Sequence, residues 1–458
     1  MMVASKKLNV VLDIGKTNVK LTFVDSSNNK ALYSFRTKQE NIIRHSIKIL
    51  NSNSIYEWAL TKIVFVGRKY SLDKFVCTAH GTSIALIGEQ NQEILACTDY
   101  EYKFDKIFDH YKRLAPNFNE SFTPFLENGL NIGQQIYYLY KKNPKMIKNT
   151  KFILTYPQYI AWKLSGNFSS EISYLGCHTH LWDFKKNKLS SFVKKLRLEN
   201  KFPPMRKAWE VIGQKKIANS NLQIINGVHD SNASYLYFLK SNLKNFTLVS
   251  TGTWYITLNQ QTSIKKLKPN YDMLCGINVF GKSVPTMRFM GGREYELLCK
   301  KLKVSSANFN ISKSILQKNL ILPSFAPGGP FIIKNYNLKN ILSLQSDERY
   351  SLICVYISFV LNFVLDEMNS TNTLILDGPI TKNSDIMNII ASIRKNQKTF
   401  KNKKEIGTGL GASMLFNIKK TNKLSLSKIR STKKYDLIET YKIWLSRIKK
   451  RNLFKTNI

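Results

Sequence analysis

Two aspartates, each in a short polar segment between apolar runs, are the residues of this sequence best placed to do chemistry. Asp13 ends an apolar run that begins at Asn9 and continues into Ile-Gly-Lys-Thr. An apolar strand that stops at an acid and a glycine, followed by a second alternating run over 19–24, predicts a hairpin with a polar turn. Backbone N–H groups of such a turn can hold a phosphate, helped by Lys16 and Lys20, and the carboxylate can hold hydrated Mg²⁺. An ordinary hairpin with a capping aspartate explains this segment equally well.

The Gly-Lys-Thr sequence at 15–17 also resembles the end of a P-loop. That motif requires a glycine five residues before its final glycine, where this chain has Val10 inside a predicted strand. A P-loop is therefore excluded.

Asp230 lies in the segment Gly-Val-His-Asp-Ser-Asn-Ala at 227–233, where a short strand over 223–225 is predicted to turn into a helix. An aspartate here can act as a general base and remove the proton from a substrate hydroxyl that attacks a phosphoryl group. A helix N-cap is the common structural role of an aspartate at such a position. The spacing alone leaves both interpretations open.

Two small-residue turns follow apolar strands in the second half of the chain. Ser-Thr-Gly-Thr-Trp at 250–254 follows a predicted strand, and its amides and hydroxyls can contact the β and γ phosphates of a nucleotide. Leu-Asp-Gly-Pro-Ile at 376–380 ends another strand and leaves room for a flat group against glycine backbone. Plain hairpin and strand-to-helix turns are the structural alternatives.

The elements that must position these segments repeat in the two halves of the sequence. Each half opens with a strand, a small polar turn and a second strand, which suggests a duplicated α/β unit with a boundary near 241–244. Further predicted strands cover 31–36, 63–66, 74–78, 83–87, 93–98, 245–252, 253–259 and 373–377. Predicted helices cover 42–61, 347–370 and 384–394, and 101–150 is expected to be mostly helical.

The charge balance, 70 Lys and Arg against 30 Asp and Glu, gives a net charge of +40. Such a charge suggests nucleic acid or an anionic membrane. The lysines are spread along the chain, however, and only 419–455 is dense in basic residues, so nucleic-acid binding is kept only as a competing hypothesis. The apolar run at 350–365 is shorter than the about 20 residues that span a bilayer, so a buried helix and no membrane partner are expected. Six scattered cysteines argue against a disulfide scaffold and agree with a cytoplasmic protein.

The four polar segments occur together, and in an order that resembles the FGGY carbohydrate kinases, over residues 8 to about 418. This family belongs to the superfamily of actin, hexokinase and Hsp70 ATPases. The resemblance implies an α/β fold of two duplicated ribonuclease-H-like (actin-like ATPase) domains around a central cleft that closes by a hinge motion. It implies an N-terminal domain at 1–242 for the sugar and the first phosphate segment, a nucleotide-binding domain at 243–430, and a basic tail at 431–458. The runs at 229–234 and 250–254 are most similar to the rhamnulokinase branch.

The resemblance also implies roles for individual residues. Asp230 matches the catalytic base, and Asp13 is expected to hold Mg²⁺. ATP is expected to contact Lys16, Thr17, Asn18, Lys20, Thr251, Gly252, Thr253 and Gly378. The sugar is expected to contact His80, Gly81, His178, Thr179, His229, Asp230 and Ser231. Gly291–Glu294 is expected near the nucleotide, with a simple turn and helix start as the alternative.

Two features depart from the family pattern. Pro379 replaces one glycine of the adenosine-binding Gly-Gly turn, so looser adenine contacts are expected. Cys-His-Thr-His at 177–180 lies where the family has a sugar-lining Ser-Gly-Thr strand. In a strand, His178 and His180 would share one face, which leaves a metal site as an alternative to hydrogen bonds with sugar hydroxyls.

The predicted function is ATP-dependent phosphorylation of a ketose or deoxyketose of the rhamnulose, fuculose or xylulose type. We expect in-line transfer with ATP and Mg²⁺ as cofactors, a small-molecule sugar as partner, and a monomer or homodimer. The competing hypothesis is a non-catalytic nucleotide-binding scaffold or a basic nucleic-acid-binding protein.

Overall fold

The computed structural model describes residues 6–104, 107–403 and 407–456. The chain divides into two compact units, each containing helices and one large mixed β-sheet. Unit 1 comprises Met1–Asn242, Cys275–Ser283 and Ile406–Lys423, and unit 2 comprises Leu243–Leu274, Val284–Glu405 and Leu424–Ile458. The α/β class is confirmed, and the segments at 275–283 and 407–423 return to unit 1 from within the range assigned to the second domain.

Unit 1 contains fourteen strands and ten helices within the described residues. Its strands are β1 (Lys7–Ile14), β2 (Asn18–Asp25), β3 (Ala31–Lys38), β4 (Asn41–Arg44), β5 (Ile47–Leu50), β6 (Ser71–Ala79), β7 (Ile84–Gly88), β8 (Glu93–Leu95), β9 (Thr150–Thr155), β10 (Trp182–Asp183), β11 (Lys188–Leu189), β12 (Val211–Ile217), β13 (Ser220–Ile225) and β14 (Val228–His229). Its helices are α1 (Ser52–Gly67), α2 (Phe108–Leu114), α3 (Phe118–Ser121), α4 (Ile132–Lys142), α5 (Pro144–Lys148), α6 (Tyr156–Ser165), α7 (Ile172–Leu175), α8 (Ser191–Lys195), α9 (Asp230–Leu239) and α15 (Thr408–Ser413).

Unit 2 contains a sheet in which three parallel strands lie side by side. Its strands are β15 (Phe246–Thr251), β16 (Tyr255–Asn259), β17 (Met273–Ile277), β18 (Ser283–Phe289), β19 (Thr373–Asp377), β20 (Thr399–Asn402) and β21 (Leu426–Lys428), of which β17 and β18 run across the division between the units. Its helices are α10 (Gly291–Lys301), α11 (Lys313–Lys318), α12 (Lys339–Leu342), α13 (Ser346–Glu367), α14 (Ser384–Ile393) and α16 (Ile438–Lys450). The strand order is β17-β18-β16-β15-β19-β20-β21, with β15, β19 and β20 parallel.

The main sheet of unit 1 brings three strand ends to one edge. The order is β12-β13-β6-β1-β2-β3, with β14 paired to β6. β1 runs parallel to β6, so that Asp13 lies opposite Thr78, and β14 also runs parallel to β6, with His229 opposite Ala79. The carboxyl ends of β1, β6 and β14 therefore lie at the same edge. Asp13 is the penultimate residue of β1, and His80 and Asp230 directly follow β6 and β14.

Strand β1 is mostly apolar because helices cover both of its faces. Leu8, Val10, Leu12 and Ile14 belong to a core with α1 and α6, whereas Val11 belongs to a core with α9 and α15. A strand buried on both faces reads as a continuous apolar run rather than an alternating one. This pattern is the reason that the sequence predicts β1 so clearly.

The predicted helix at 42–61 is wrong over its first half. Residues 41–50 form the hairpin of β4 and β5, and positive φ angles at His45 and Ser46 make its turn. Helix α1 begins only at Ser52, where the side chain of Asn51 accepts a hydrogen bond from the Ser54 N–H.

The predicted strand at 63–66 is also wrong, because these residues belong to α1. Ile55, Ala59, Ile63 and Val66 recur at helical spacing and all face the core. Their common burial outweighs the preference of β-branched residues for strands.

Helix α13 is the expected buried helix at 350–365. By length and composition it is long and apolar enough to cross a membrane, but 89% of its most apolar window is buried inside the structure. The short apolar run that the sequence shows is therefore part of the core of unit 2.

The predicted basic tail at 431–458 is corrected in one respect, because it is folded onto unit 2. Trp444 of α16 is fully buried and its ring packs on Phe359 of α13. At the end of this segment, Phe454 pairs with Phe331 in an antiparallel bridge. The amphipathic character of α16 provides the apolar face, and its lysines lie on the opposite, exposed face.

Candidate active site

Asp13 is a half-buried carboxylate that lies close to a second one. Burial raises the pKa of Asp13, and a hydrogen bond from Thr408 opposes this rise. The negative charge of Asp230 raises the pKa of Asp13 further, which places the two carboxylates within electrostatic reach of each other in unit 1. Lys20 lies opposite Asp13 in the β1–β2 register, and its positive charge lowers the pKa of Asp13.

Helix α15 brings a hydroxyl to Asp13 from a segment far along the chain. The Thr408 hydroxyl donates a hydrogen bond to Oδ2 of Asp13, and the Gly409 backbone N–H donates a second. Gly411 permits this approach because a Cβ at that position would lie 1.8 Å from the Ala233 carbonyl oxygen of α9. The close crossing of α9 and α15 thus requires glycine at 411.

Asp230 is the first residue of α9, and its side chain is 27% exposed. Its Oδ1 accepts a hydrogen bond from the Ser231 backbone N–H at 2.6 Å and lies 3.3 Å from Nε2 of His229. The N-cap position belongs to His229, so the structural role suggested by the sequence does not apply to Asp230. Its carboxylate stays at the solvent-accessible end of the helix.

A cluster of titratable side chains surrounds His229, which is itself buried. Cys177 Sγ lies 3.9 Å from His229 Nε2 and 2.9 Å from His178 Nδ1. Burial lowers the pKa of His229, but the charges of Cys177 and Asp230 outweigh it and raise this pKa to about 9. Burial also raises the pKa of Glu171 to about 7, against hydrogen bonds from the Ser173 hydroxyl and backbone.

Gly81 leaves the room that this cluster occupies. A Cβ at Gly81 would lie 2.6 Å from His229 Nε2 and 3.6 Å from His178 Cε1. Any larger residue would displace the imidazoles. The structure thus brings together Gly81, His178, His229 and Asp230 of the predicted sugar contacts, together with Ser231.

His80 lies in an aromatic setting next to the same edge. Its ring meets those of Tyr100 and Tyr156 edge-on at 5.5 and 5.7 Å, and burial lowers its pKa. Its Nδ1 lies 3.0 Å from the Gly81 carbonyl oxygen, whereas its buried Nε2 has no hydrogen-bond partner in the described part of the chain. An unpartnered buried nitrogen is compatible with the predicted contact to a polar ligand.

The segment at 177–180, where the family has a strand, is not a strand in this chain, because α7 ends just before it and the segment turns irregularly, with φ 63° at His180. His180 is buried between the Tyr111 hydroxyl and the Thr123 carbonyl and does not share a face with His178. The Thr179 hydroxyl donates to the Leu175 carbonyl at 2.6 Å, so a sugar contact through it would replace that bond. Among the described residues, no group of three or more His, Cys, Asp or Glu side chains is arranged to hold a metal ion.

The two lysines of the first turn differ in their surroundings. Lys16 pairs with the fully buried Asp99, lies 3.4 Å from Glu101 and covers the Tyr100 ring at 4.8 Å. Lys20 is exposed, as are Thr17 and Asn18. The turn itself closes through a hydrogen bond from the Gly15 N–H to the Asn18 carbonyl.

In unit 2, the ends of β15 and β19 are joined side by side. The Thr251 hydroxyl donates to the Asp377 carbonyl at 2.6 Å and accepts from the Ile380 N–H at 3.1 Å. Gly378 has φ 84°, and a Cβ there would lie 2.2 Å from the Thr251 carbonyl oxygen. Pro379 fits this turn because it begins a short 3₁₀ helix, where proline is readily accommodated.

A cavity of about 640 Å³ lies beside these turns within unit 2. It is lined by Gly252, Thr253, Gly292, Tyr295, Pro379 and Asn383, among others. Gly292 approaches so closely that a Cβ would lie 2.1 Å from the Gly252 carbonyl oxygen. The structure therefore places the turns at 251–253 and 378–380 and the start of α10 around one cavity.

Residues 243–424 match the family profile described as carbohydrate kinase FGGY, C-terminal domain. Residues 243–424 therefore belong to the FGGY carbohydrate kinase family. The predicted enzyme class, a carbohydrate kinase, is thereby confirmed, and members of this class use ATP, generally with Mg²⁺, on small-molecule sugars. No curated protein sequence matches the chain.

Solved structures agree with the actin-like ATPase fold expected for an FGGY kinase. A carbohydrate kinase from Novosphingobium aromaticivorans superposes with a TM-score of 0.85 at 24% identity, covering 98% of this chain and 100% of the other. A ligand-bound xylulose kinase from Lactobacillus acidophilus gives a TM-score of 0.76 at 13% identity over 97% and 98% of the two chains. A glycerol kinase from Plasmodium falciparum with ADP gives 0.72 at 14% over 97% and 98%. At these identities the likeness concerns the fold.

Sequence reasoning missed several residues of this FGGY kinase that border the candidate site. Thr408 contacts Asp13 across almost the whole chain, and its only signal is the Gly-Thr-Gly-Leu-Gly sequence at 407–411, which suggests a helix packed closely on a neighbour. Arg288 lies over the ring of Trp254, and Asp272 holds it there. No local pattern distinguishes Arg288 from the many other basic residues.

Proposed function

We propose that this FGGY kinase transfers the γ-phosphoryl group of ATP to a hydroxyl of a ketose or deoxyketose, with Asp230 as the general base. The observation that carries this proposal is that Asp13, near the end of β1, and Asp230, directly after β14, lie at one edge of the unit 1 sheet. β1 and β14 both run parallel to β6, and the charge of Asp230 contributes to the raised pKa of Asp13. One acid can then accept a proton while the other serves the charge of the phosphates.

In this proposal, Asp230 uses one carboxylate oxygen for orientation and the other for the substrate. Its Oδ1 is engaged by the Ser231 N–H and faces His229 Nε2. A substrate hydroxyl at the exposed end of α9 would give its proton to Oδ2 as its oxygen attacks phosphorus. His80, Gly81, His178, Thr179, His229 and Ser231 would hold the remaining hydroxyls.

The donor set at Asp13 suits Mg²⁺, which prefers carboxylate, hydroxyl and water oxygens. Asp13 would hold the ion through water, with the Thr408 hydroxyl beside it, and the ion would neutralise phosphate charge during transfer. In the first turn, the backbone near Lys16, Thr17 and Asn18 and the Lys20 ammonium would contact phosphate oxygens. In unit 2, Thr251, Gly252, Thr253 and Gly378 would contact ATP, and Gly252 and Thr253 line the 640 Å³ cavity.

The sugar is proposed from two motifs. His-Asp-Ser-Asn-Ala-Ser at 229–234 and Ser-Thr-Gly-Thr-Trp at 250–254 favour a rhamnulokinase-like substrate, a deoxyketose such as rhamnulose or fuculose, over xylulose. We further propose that the enzyme is cytoplasmic and acts as a monomer or homodimer. Cell fractionation would test the location, and sedimentation analysis would test the oligomeric state.

The test is sugar-dependent ADP formation across rhamnulose, fuculose, xylulose, ribulose, erythrulose and glycerol. We expect stimulation by at least one ketose, and Asp230→Asn should lower kcat by roughly 100-fold or more while ATP binding stays nearly intact. Asp109→Asn, at an exposed position of α2, is the matched control and should retain activity. Substantial turnover by Asp230→Asn would refute the base assignment, and salt-sensitive RNA retention without sugar-dependent turnover would favour the binding protein.

A further inference from the structure

Cys177 differs from every other cysteine of the chain in its surroundings. It is partly exposed and follows α7, with its Sγ 2.9 Å from His178 Nδ1 and 3.9 Å from His229 Nε2. Cys77, Cys97, Cys275 and Cys354 are buried. Cys299 is partly exposed, but burial raises its pKa.

The groups that face this thiol favour its thiolate form. Burial opposes ionisation, but His178 and His229 outweigh it and hold the pKa of Cys177 well below its usual range. Against burial, the charges of Cys177, Asp230 and Glu171 raise the pKa of His229 to about 9, which favours its charged form. The Tyr174 ring packs edge-on against His229 at 5.5 Å, and burial raises the pKa of that phenol, which adds no charge near the thiol.

The cluster also contains an unsatisfied polar atom and a glycine that the imidazoles approach closely. His229 is buried and its Nδ1 has no hydrogen-bond partner among the described residues. Gly81 presents no side chain towards His229 and His178. A sulfur adduct at Cys177 would lie beside the His178 and His229 imidazoles.

We propose that Cys177 is a thiol modification site that forms a mixed disulfide with low-molecular-weight disulfides. The Cys177 thiolate attacks one sulfur of the disulfide, a new S–S bond forms, the original S–S bond breaks, and the other half leaves as a thiolate. The small disulfide is itself the oxidant, so no other co-reactant is needed. A reducing thiol reverses the step by the same exchange.

This modification would control the kinase through the sugar. The adduct would lie against His178, His229 and Gly81, which are assigned to sugar binding, and would exclude the substrate. This consequence rests on the proposed function, whereas the reactivity of Cys177 does not.

The first test compares the labelling rates of Cys177 and Cys299 with iodoacetamide near about pH 6, read by peptide mass spectrometry. A thiol of ordinary pKa is about 0.3% thiolate at that pH, so full ionisation gains about 300-fold, and lower intrinsic nucleophilicity removes about 20- to 30-fold. We expect Cys177 to react about 10-fold faster than Cys299. The difference should disappear in denaturant, where both thiols lose their surroundings.

Variants separate the cluster from simple exposure. His178→Gln and His229→Gln should each slow labelling of Cys177 near about pH 6 by several-fold, and Cys177→Ser should abolish the fast phase, whereas Cys299→Ser should not. The wild-type pH profile serves as a second measurement that needs no variant, and its rate should be nearly flat between about pH 6 and 8. Equal rates at both cysteines, or a steep rise over that range, would overturn the proposal.

Oxidised glutathione is the probe for the mixed disulfide. Intact mass should show one adduct on wild type and Cys299→Ser, reversed by dithiothreitol, and none on Cys177→Ser. A mixed disulfide without loss of sugar-dependent turnover would leave Cys177 a modification site but separate it from the sugar site. Absence of the adduct would refute the modification itself, whatever the kinase activity.

Discussion

The guanidinium of Arg288 lies 4.7 Å from the ring centroid of Trp254, directly after the turn assigned to the nucleotide phosphates. Asp272 Oδ1 accepts a hydrogen bond from Arg288 Nε at 3.1 Å and so fixes the guanidinium over the ring. Gly328 also packs closely against the indole, because a Cβ at Gly328 would lie 2.6 Å from the Trp254 ring. Contacts with Arg288 and Gly328 thus hold the indole of Trp254 in place. The same contacts position the C-terminal end of the 251–253 turn.

Arg288→Gln should loosen that turn and weaken ATP binding. A partly buried cation–π contact is worth about 1–2 kcal/mol, so we expect the KM for ATP to rise about 5- to 20-fold with a smaller change in the KM for sugar. Arg430→Gln is the matched control, since Arg430 is an exposed residue of unit 2 that does not line the 640 Å³ cavity. Steady-state kinetics with each substrate varied would measure both KM values. An equal KM for ATP in the two variants would contradict the prediction.

Gly411→Ala should destabilise unit 1. The added Cβ would meet the Ala233 carbonyl oxygen at 1.8 Å, so α15 must move away from α9 and Thr408 must leave Asp13. Overpacking of this kind typically costs about 1–3 kcal/mol. Gly407→Ala is the control, because a Cβ there meets nothing within 4 Å. Thermal unfolding should show a lower Tm for Gly411→Ala only.

Glu171→Gln should change how stability depends on pH. Burial raises the pKa of Glu171 in the folded state to about 7, above the ordinary glutamate value of 4.5. A raised carboxyl pKa means that the folded state binds the proton more tightly, so stability is lost as pH rises from about 4.5 through 7. That loss is on the order of 3 kcal/mol at most.

The variant has no proton to lose at this position, so its stability relative to wild type should improve between about pH 5 and pH 8. Urea unfolding at both values measures the difference. Glu57→Gln, at an exposed position of α1, should show no such trend. A constant difference between Glu171→Gln and wild type would mean that Glu171 does not titrate in this range.

Lys16→Gln should act mainly on stability and Lys20→Gln mainly on ATP. Removing Lys16 leaves the buried Asp99 with Lys48 as its remaining cation, at 3.1 Å. An undercompensated buried charge costs about 3–5 kcal/mol, less where a second cation stays. Lys20 is exposed, so its loss should raise the KM for ATP with little effect on Tm. A higher KM for ATP in Lys16→Gln, with a lower Tm only in Lys20→Gln, would instead assign phosphate binding to Lys16.

The sequence predicts best what local pattern decides. The strand at β1, its turn and β2 follow from an apolar run, an acid and a glycine, and β19 follows from Thr-Leu-Ile-Leu-Asp at 373–377. The order of the polar segments, rather than any one of them, indicates that Asp13 and Asp230 act together.

The remaining features depend on contacts between distant residues. Thr408 reaches Asp13 because Gly411 lies against α9, and neither fact is visible in the local sequence. The hairpin at 41–50 was mistaken for a helix because its isoleucines suit either element. The irregular path of the segment at 177–180 depends on the buried contacts of His180 with Tyr111 and Thr123, which no local pattern reveals.

The three-part composition of unit 1 has a consequence for biosynthesis. Because α15 completes the core that contains Val11, Ala233 and Leu236, a nascent chain that ends before residue 423 leaves that core open. Unit 1 therefore finishes folding only after nearly all of unit 2 has left the ribosome. A premature stop within unit 2 would damage the amino-terminal half of the protein as well as the half that it truncates.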